Sequence, residues 1–231
     1  MSRGGASFFS PDLFEFLGDL KRHNEREWFL ANKPRYEEAV KEPALAFIAA
    51  FEPHLRKISP EFLAIPRAVG GSLFRIQRDV RFSKNKSPYK TAVGIRFAHR
   101  DSKNLHAPLF YLHLEPGASF AGLGVWHPEP PTLHKIRQAI VEDPKAYENA
   151  VSGARFRKRF EVGGDSLRRP PRGYDPQHPL IEELKRKDFV ASCRLDERDV
   201  VRPGFDSRLA EIFGDGAGYV GYLCRALGAP F

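Results

Sequence analysis

The hydrophobic spacing of this chain changes twice, and those two changes constrain its fold more than any other feature. Up to about Ile58 the apolar residues recur at helical intervals, with Leu13, Phe14, Phe16, Leu17 and Leu20 on one face. Ser10-Pro11-Asp12 supplies a hydroxyl cap, a proline for the first turn and an acid at the positive end of the helix dipole. The pattern therefore predicts a helix from there to about His23-Asn24. Further helices are expected around Arg26 to Ala31, Pro34 to Lys41 and Pro43 to about Ile58, with Pro53 kinking the last or ending it early. From Gly70 the period becomes two. Phe74, Ile76, Val80 and Phe82 alternate with Arg75, Gln77, Asp79 and Arg81, Arg78 being the exception, which predicts a strand over 73–82. Turn formers fill 83–90, and returning strands are expected over 91–97, 108–115 and 120–126. Together these read as an antiparallel four-strand meander with one apolar and one polar face.

After Pro130 the helical period returns. Leu133, Ile136, Ile140 and Val141 share a face, and Asp143-Pro144 opens another helix. The segment 167–179 carries Pro170, Pro171, Pro176 and Pro179 and is expected to be extended. A helix over 179–187 and a strand over 189–195 should follow. The last segment, from Ser207, has a helical pattern that Gly214-Asp215-Gly216-Ala217-Gly218 is expected to interrupt. There are no internal repeats and no low-complexity linkers. The expectation is one α+β domain over 1–231, mainly an antiparallel sheet of about four to six strands flanked by N-terminal and C-terminal helices.

Composition excludes several classes of protein. With 42% hydrophobic and 29% charged residues the chain is globular rather than disordered. The longest apolar run, Ala44 to Phe51, is too short to cross a bilayer, so no membrane partner is expected. Met1 to Ala6 lacks the apolar stretch of a secretion signal. Cys193 and Cys224 form no ligand-spaced cluster, which argues against structural zinc and for a reducing, cytoplasmic setting. Nothing in the sequence calls for a cofactor.

The formal charge is +8, and its distribution matters more than its size. Between Arg75 and Lys103 stand nine basic residues (Arg75, Arg78, Arg81, Lys84, Lys86, Lys90, Arg96, Arg100 and Lys103) against Asp79 and Asp101, a net +7. Clustering of this kind favours phosphate-bearing partners. In a regular strand Arg75, Asp79 and Arg81 project from one face. There the carboxylate orients a guanidinium while the arginine forks remain able to take an oxyanion. Arg78 points the other way, into the apolar face, where it needs a buried carboxylate or a set of carbonyls; its expected role is structural. Lys86 sits on the turn, and Tyr89 adds a hydroxyl or a stacking face. A solvated hairpin held by an arginine–aspartate network is the plainer reading of the same residues.

The run from Arg75 through Arg78-Asp79, Arg81-Phe82 and Asn85-Lys86 to Tyr89 resembles the signature of a mainly bacterial family. That family is catalogued as domain-of-unknown-function family twenty-four sixty-one. The likeness extends to Asn24–Phe29 with Asn32-Lys33, to Gly70-Gly71-Ser72, and to 167–174 running on to 184–189, so it covers essentially the whole chain. It implies no activity. Gly214 to Gly218 fall where similar proteins carry better helix formers, which is a departure from the family pattern.

His113 and Glu115 stand two residues apart on the polar strand face with Tyr111 beside them, a pairing able to move protons or begin a metal site. No third ligand is evident, and mixed polar residues on a surface strand are the commoner explanation. Gly122 and Gly124 are expected to leave room over the sheet, with Trp126 as a wall. Arg168 to Tyr174 form a basic, extended segment from which Arg172 and Tyr174 are expected to cover the edge of a pocket. Gly-x-Ser-x-Gly is absent, the cysteines have no evident His partner, and no DNA-reading motif occurs. Three readings follow. The leading one is binding of a phosphate-bearing small molecule or nucleic acid by Arg75, Arg81, Lys86 and Tyr89. The second is an enzyme acting on an anionic substrate, with Asp79, His113 or Glu115 as acid or base. The third is a structural or interaction protein in which the signature is a folding network.

Overall fold

A computed structural model describes residues 7–102 and 105–231; Met1 to Ala6 and Lys103, on which two of the expectations above bear, lie outside them. Four helical segments open the chain: α1 (Pro11–Arg22), α2 (Arg26–Ala31), α3 (Lys33–Tyr36) and, after a π-helical turn at Glu37–Lys41, α4 (Glu42–Ile58). Leu13, Phe16, Leu17 and Leu20 are fully buried, as the spacing of α1 requires. Ser10 makes no side-chain cap, and only its carbonyl receives the amide of Leu13 at 3.1 Å. Pro53 does not end α4. Phe47, Ile48, Phe51 and Leu55 form one buried stripe across it, and that burial outweighs the hydrogen bond the proline removes.

The sheet has six strands in the order β1-β2-β3-β4-β6-β5, all paired antiparallel. They are β1 (Phe62–Leu63), β2 (Val93–His99), β3 (Leu109–Leu114), β4 (Phe120–Val125), β5 (Glu161–Gly163) and β6 (Phe189–Arg194). Helices α5 (Pro130–Glu142), α6 (Pro144–Ser152) and α7 (Ala154–Arg159) lie between β4 and β5. The short α8 (Ile181–Leu184) precedes β6, and α9 (Glu197–Val200) and α10 (Phe205–Leu227) complete the chain. The fold is thus α+β, an antiparallel sheet with helices at the N-terminal and C-terminal ends of the chain, α4 and α10 packing against each other. None of its described helices is long and apolar enough to cross a membrane.

Alternation along the strands sorts residues to two faces. Ile95 and Phe97 of β2, Phe110 and Leu112 of β3 and Leu123 of β4 face α4 and α10 and are buried. Phe51 meets Phe97 at 4.8 Å between ring centres, and Phe213 meets Phe110 at 4.9 Å. The opposite face carries Gly94 and Arg96, then Tyr111 and His113, then Phe120 and Gly122. Their register is set by the pairs Gly94↔His113, Arg96↔Tyr111, Tyr111↔Gly122 and His113↔Phe120.

Two expectations need correction here. Residues 73–82 do not form a strand. They run extended beside β2 and meet the ladder through the bridge Leu73↔Ile95; further out, Gln77↔Tyr89 joins the segment to its own returning arm. Phe74 is half exposed and Phe82 wholly exposed, so the alternation is broken. A continuous ladder would drive the Arg78 guanidinium into the apolar layer, and leaving the ladder avoids that desolvation. The C-terminal helix, in contrast, is uninterrupted. A side chain at Gly216 would place its Cβ 2.1 Å from Leu123 Cδ2. The glycine lets α10 approach β4 closely, and the apolar burial around it carries the helix through the low-propensity stretch.

Candidate functional site

Residues 73–92 fold back over the outer face of β2 and β3 and border a half-open cavity of about 640 Å³. Its floor is a hydrogen-bonded chain along one strand. The Tyr111 hydroxyl lies 3.1 Å from His113 Nδ1, and His113 Nε2 lies 3.1 Å from Glu115 Oε2. The imidazole stacks on Phe120 at 4.8 Å. Thr91 donates to the other oxygen of Glu115 at 3.3 Å, and Lys21 Nζ stands 3.9 Å from it. An ionised carboxylate only accepts, so Glu115 selects the tautomer with the proton on Nε2. Nδ1 is then left to accept from the Tyr111 hydroxyl. Burial, with Glu115 adding to it, pushes the Tyr111 phenol up to about 12, so the resting group is a neutral phenol.

The walls come from the segment and from α1. Phe74 lies over Tyr111, and the cations of Lys90 and Arg96 stand 5.3 and 5.4 Å from the centre of its ring. Lys90 donates to the Arg75 carbonyl at 2.7 Å. Its ammonium is held below the usual lysine range by burial first and the Arg75 charge second. Arg78 is partly buried and lines the same cavity. It donates to the Ser87 carbonyl at 3.2 Å and more distantly to Ser83 Oγ. Of the carboxylate or carbonyls expected for Arg78, the Ser87 carbonyl is present and no carboxylate partner occurs among the described residues, because the broken strand leaves the side chain at the cavity edge rather than in the core.

The other predicted residues divide sharply. Asp79 and Arg81 form a two-toothed pair at 3.0 and 2.7 Å, fully in solvent, and neither lines the cavity. That hydrogen bonding, chiefly from the Arg81 side chain, holds the Asp79 carboxyl below its ordinary range. Arg75 is exposed outside the cavity, and Lys86 donates to the Val80 carbonyl at 3.0 Å. Tyr89 is buried. Its ring stacks on Phe29 at 4.1 Å, and the Asn24 amide clamps both its N–H and its carbonyl at 3.0 Å. Arg172 and Tyr174 lie away from this cavity: Tyr174 reaches His134 at 3.1 Å, and Arg172 is exposed. Trp126 is exposed too and stacks on His127 instead of walling the site.

The room over the sheet comes from Gly94, not from the two glycines of β4. Over Gly122 the Phe120 ring already sits 3.3 Å from where a Cβ would be. Gly124 has φ +117 and a Cβ position 2.1 Å from the Phe189 carbonyl, so it serves the backbone. A Cβ on Gly94 would fall 2.7 Å from both Phe74 and the Tyr111 hydroxyl. Gly94→Ala should therefore lower the melting temperature by about 2–12 °C, the range for overpacking by one methyl in a domain of this size. It should also push Tyr111 off His113, visible as a changed His113 ring-nitrogen shift by NMR. An unchanged shift would mean that Tyr111 keeps its place beside His113 and the backbone of β2 gives way instead. Sequence reading missed Lys21, Asn24 and Lys90 as cavity residues. It noted Tyr111 only as a neighbour of His113, although the two-residue spacing already placed both on one face.

The fold and this cavity define an α+β protein with a half-open cavity, lined by Lys21, Arg78, Lys90 and Glu115, over the outer face of its sheet. A family model described as conserved hypothetical protein (DUF2461) matches residues 12–222, and the chain belongs to that family. No curated protein and no solved structure matches it.

Proposed function

We propose that the cavity binds a small phosphate-bearing molecule of nucleotide size or below. The observation that supports this reading is a pair of cations, Lys90 and Arg78, lining a half-open cavity with no carboxylate partner of their own among the described residues. Lys90 is crowded by burial and by Arg75, and an anion relieves both costs. A volume of about 640 Å³ suits a small ligand better than a polymer. The revised binding set is Arg78 and Lys90, with Phe74 and Tyr111 offering aromatic surface. Arg75, Arg81 and Lys86, first expected to bind, belong to the solvent side of the segment.

Thermal shift with inorganic phosphate, nucleoside monophosphates and a single-stranded oligonucleotide tests the reading. A ligand at a hundred times its dissociation constant should stabilise the wild type by about 2.7 kcal/mol. Lys90→Ala and Arg78→Ala should lose that shift, and Arg81→Ala should keep it. If Arg81→Ala loses it and Lys90→Ala does not, or only the oligonucleotide acts, binding is on the exposed loop and the cavity reading fails.

A further inference from the structure

We propose that Tyr111 is a nucleophile toward the phosphorus of a phosphate ester held in this cavity, with His113 as its general base and Glu115 as a positioning residue. The inference rests on the anion-binding reading above and adds a reaction to it. Its basis is the order of the chain Tyr111–His113–Glu115. Glu115 fixes one imidazole nitrogen as donor, and the other nitrogen accepts from a phenol 3.1 Å away that lines the cavity. A nucleophile, a base within hydrogen-bond reach and a third group that orients the base are the parts covalent catalysis needs. Phe120 holds the imidazole from the side, and Thr91 occupies the second carboxylate oxygen. Glu115 therefore has little freedom to turn away. A mere sheet contact would need none of this order.

Because the resting phenol keeps its proton, no preformed phenolate attacks. As the Tyr111 oxygen–phosphorus bond forms and the ester phosphorus–oxygen bond breaks, the phenol proton passes to His113 Nδ1. The leaving oxygen departs with the bonding electron pair. Water then attacks the phosphorus, phenoxide leaves and regains its proton from His113, and phosphate departs with both hydrogens of the water. Lys90 and Arg78 hold the phosphoryl oxygens throughout.

The probe is para-nitrophenyl phosphate, whose nitrophenolate leaves without needing a proton. Nitrophenolate release is followed by absorbance, and acid-quenched protein is mapped by mass spectrometry. Phosphate should appear on Tyr111 and on none of the other tyrosines among the seven in the chain. Tyr111→Phe should abolish release, and His113→Ala should slow it by about 10²–10⁴-fold. Added imidazole should restore a measurable part of the His113→Ala rate, which a purely structural histidine would not permit. Glu115→Gln, close in shape, serves as the variant that keeps the fold and should also slow release. If inorganic phosphate stabilises the wild type through Lys90 but Tyr111 is never modified, the nucleophile is wrong and the binding reading stands. If Tyr111 is modified and inorganic phosphate neither competes nor stabilises, the binding reading is wrong and the nucleophile stands. A wild-type rate in folded His113→Ala overturns the role of the base.

Discussion

Tyr89→Ala should destabilise the protein by about 3–5 kcal/mol, the range for removing a buried aromatic ring. The motivating facts are its 7% exposure and its stacking on Phe29 at 4.1 Å. Truncation leaves a void between α2 and the 73–92 segment, and it loosens the point where Asn24 grips the backbone of residue 89. Tyr89→Phe should be close to neutral, because the phenolic oxygen makes no protein hydrogen bond among the described residues. Urea denaturation of both variants measures the difference. If Tyr89→Ala unfolds within about 1 kcal/mol of the wild type, the ring is not an anchor. Its place in the lining of the cavity, with Phe74 and Tyr111, does not depend on that outcome.

A comparable loss, about 2–5 kcal/mol, is expected for Asp188→Ala, since hydrogen bonds to a charged group contribute about 1.5–3 kcal/mol each. Asp188 is 1% exposed and stands just before β6. One of its oxygens accepts the His127 N–H at 2.7 Å and contacts His127 Nδ1 at 3.1 Å; the other accepts the Asp165 N–H at 2.9 Å. It also holds His127 in a left-handed conformation, φ 48, that a non-glycine residue rarely adopts. Asp188→Asn keeps the volume and one acceptor and should lose less. Guanidinium unfolding that leaves Asp188→Ala at wild-type stability would show that this carboxylate is dispensable.

Helices and central strands were readable because their burial follows a simple period. The stripe of α1 and the alternation of β3 decide their own faces, and the family that the sequence resembles is the one whose model matches residues 12–222. Reading failed where one residue outvotes a period. Arg78 cannot enter the apolar layer, so an alternating run becomes an irregular cover. Gly216 looked like a helix breaker, yet it is where α10 comes nearest the sheet. Membership of the cavity was only half legible. His113 and Glu115 are neighbours on one strand and could be paired by counting. Lys21 and Asn24 reach the site from α1 and the turn after it, a contact that no local pattern records. Arg172 and Tyr174 could not be placed because the long connection before α8 has no period to follow.

The attachment of the 73–92 segment has a consequence for how the molecule opens. Few backbone bonds join it to the sheet, and residues 79–87 are joined to the body chiefly at their base, by Gln77↔Tyr89 and the Asn24 clamp. Amide exchange should accordingly divide the chain into two stability classes, with β2 to β4 protected to the level of global unfolding and residues 79–87 far below it. Residues 79–87 can then detach and reseat as one unit while the sheet beneath stays folded, so the width of the cavity mouth beside Asn85 and Ser87 is governed by that base.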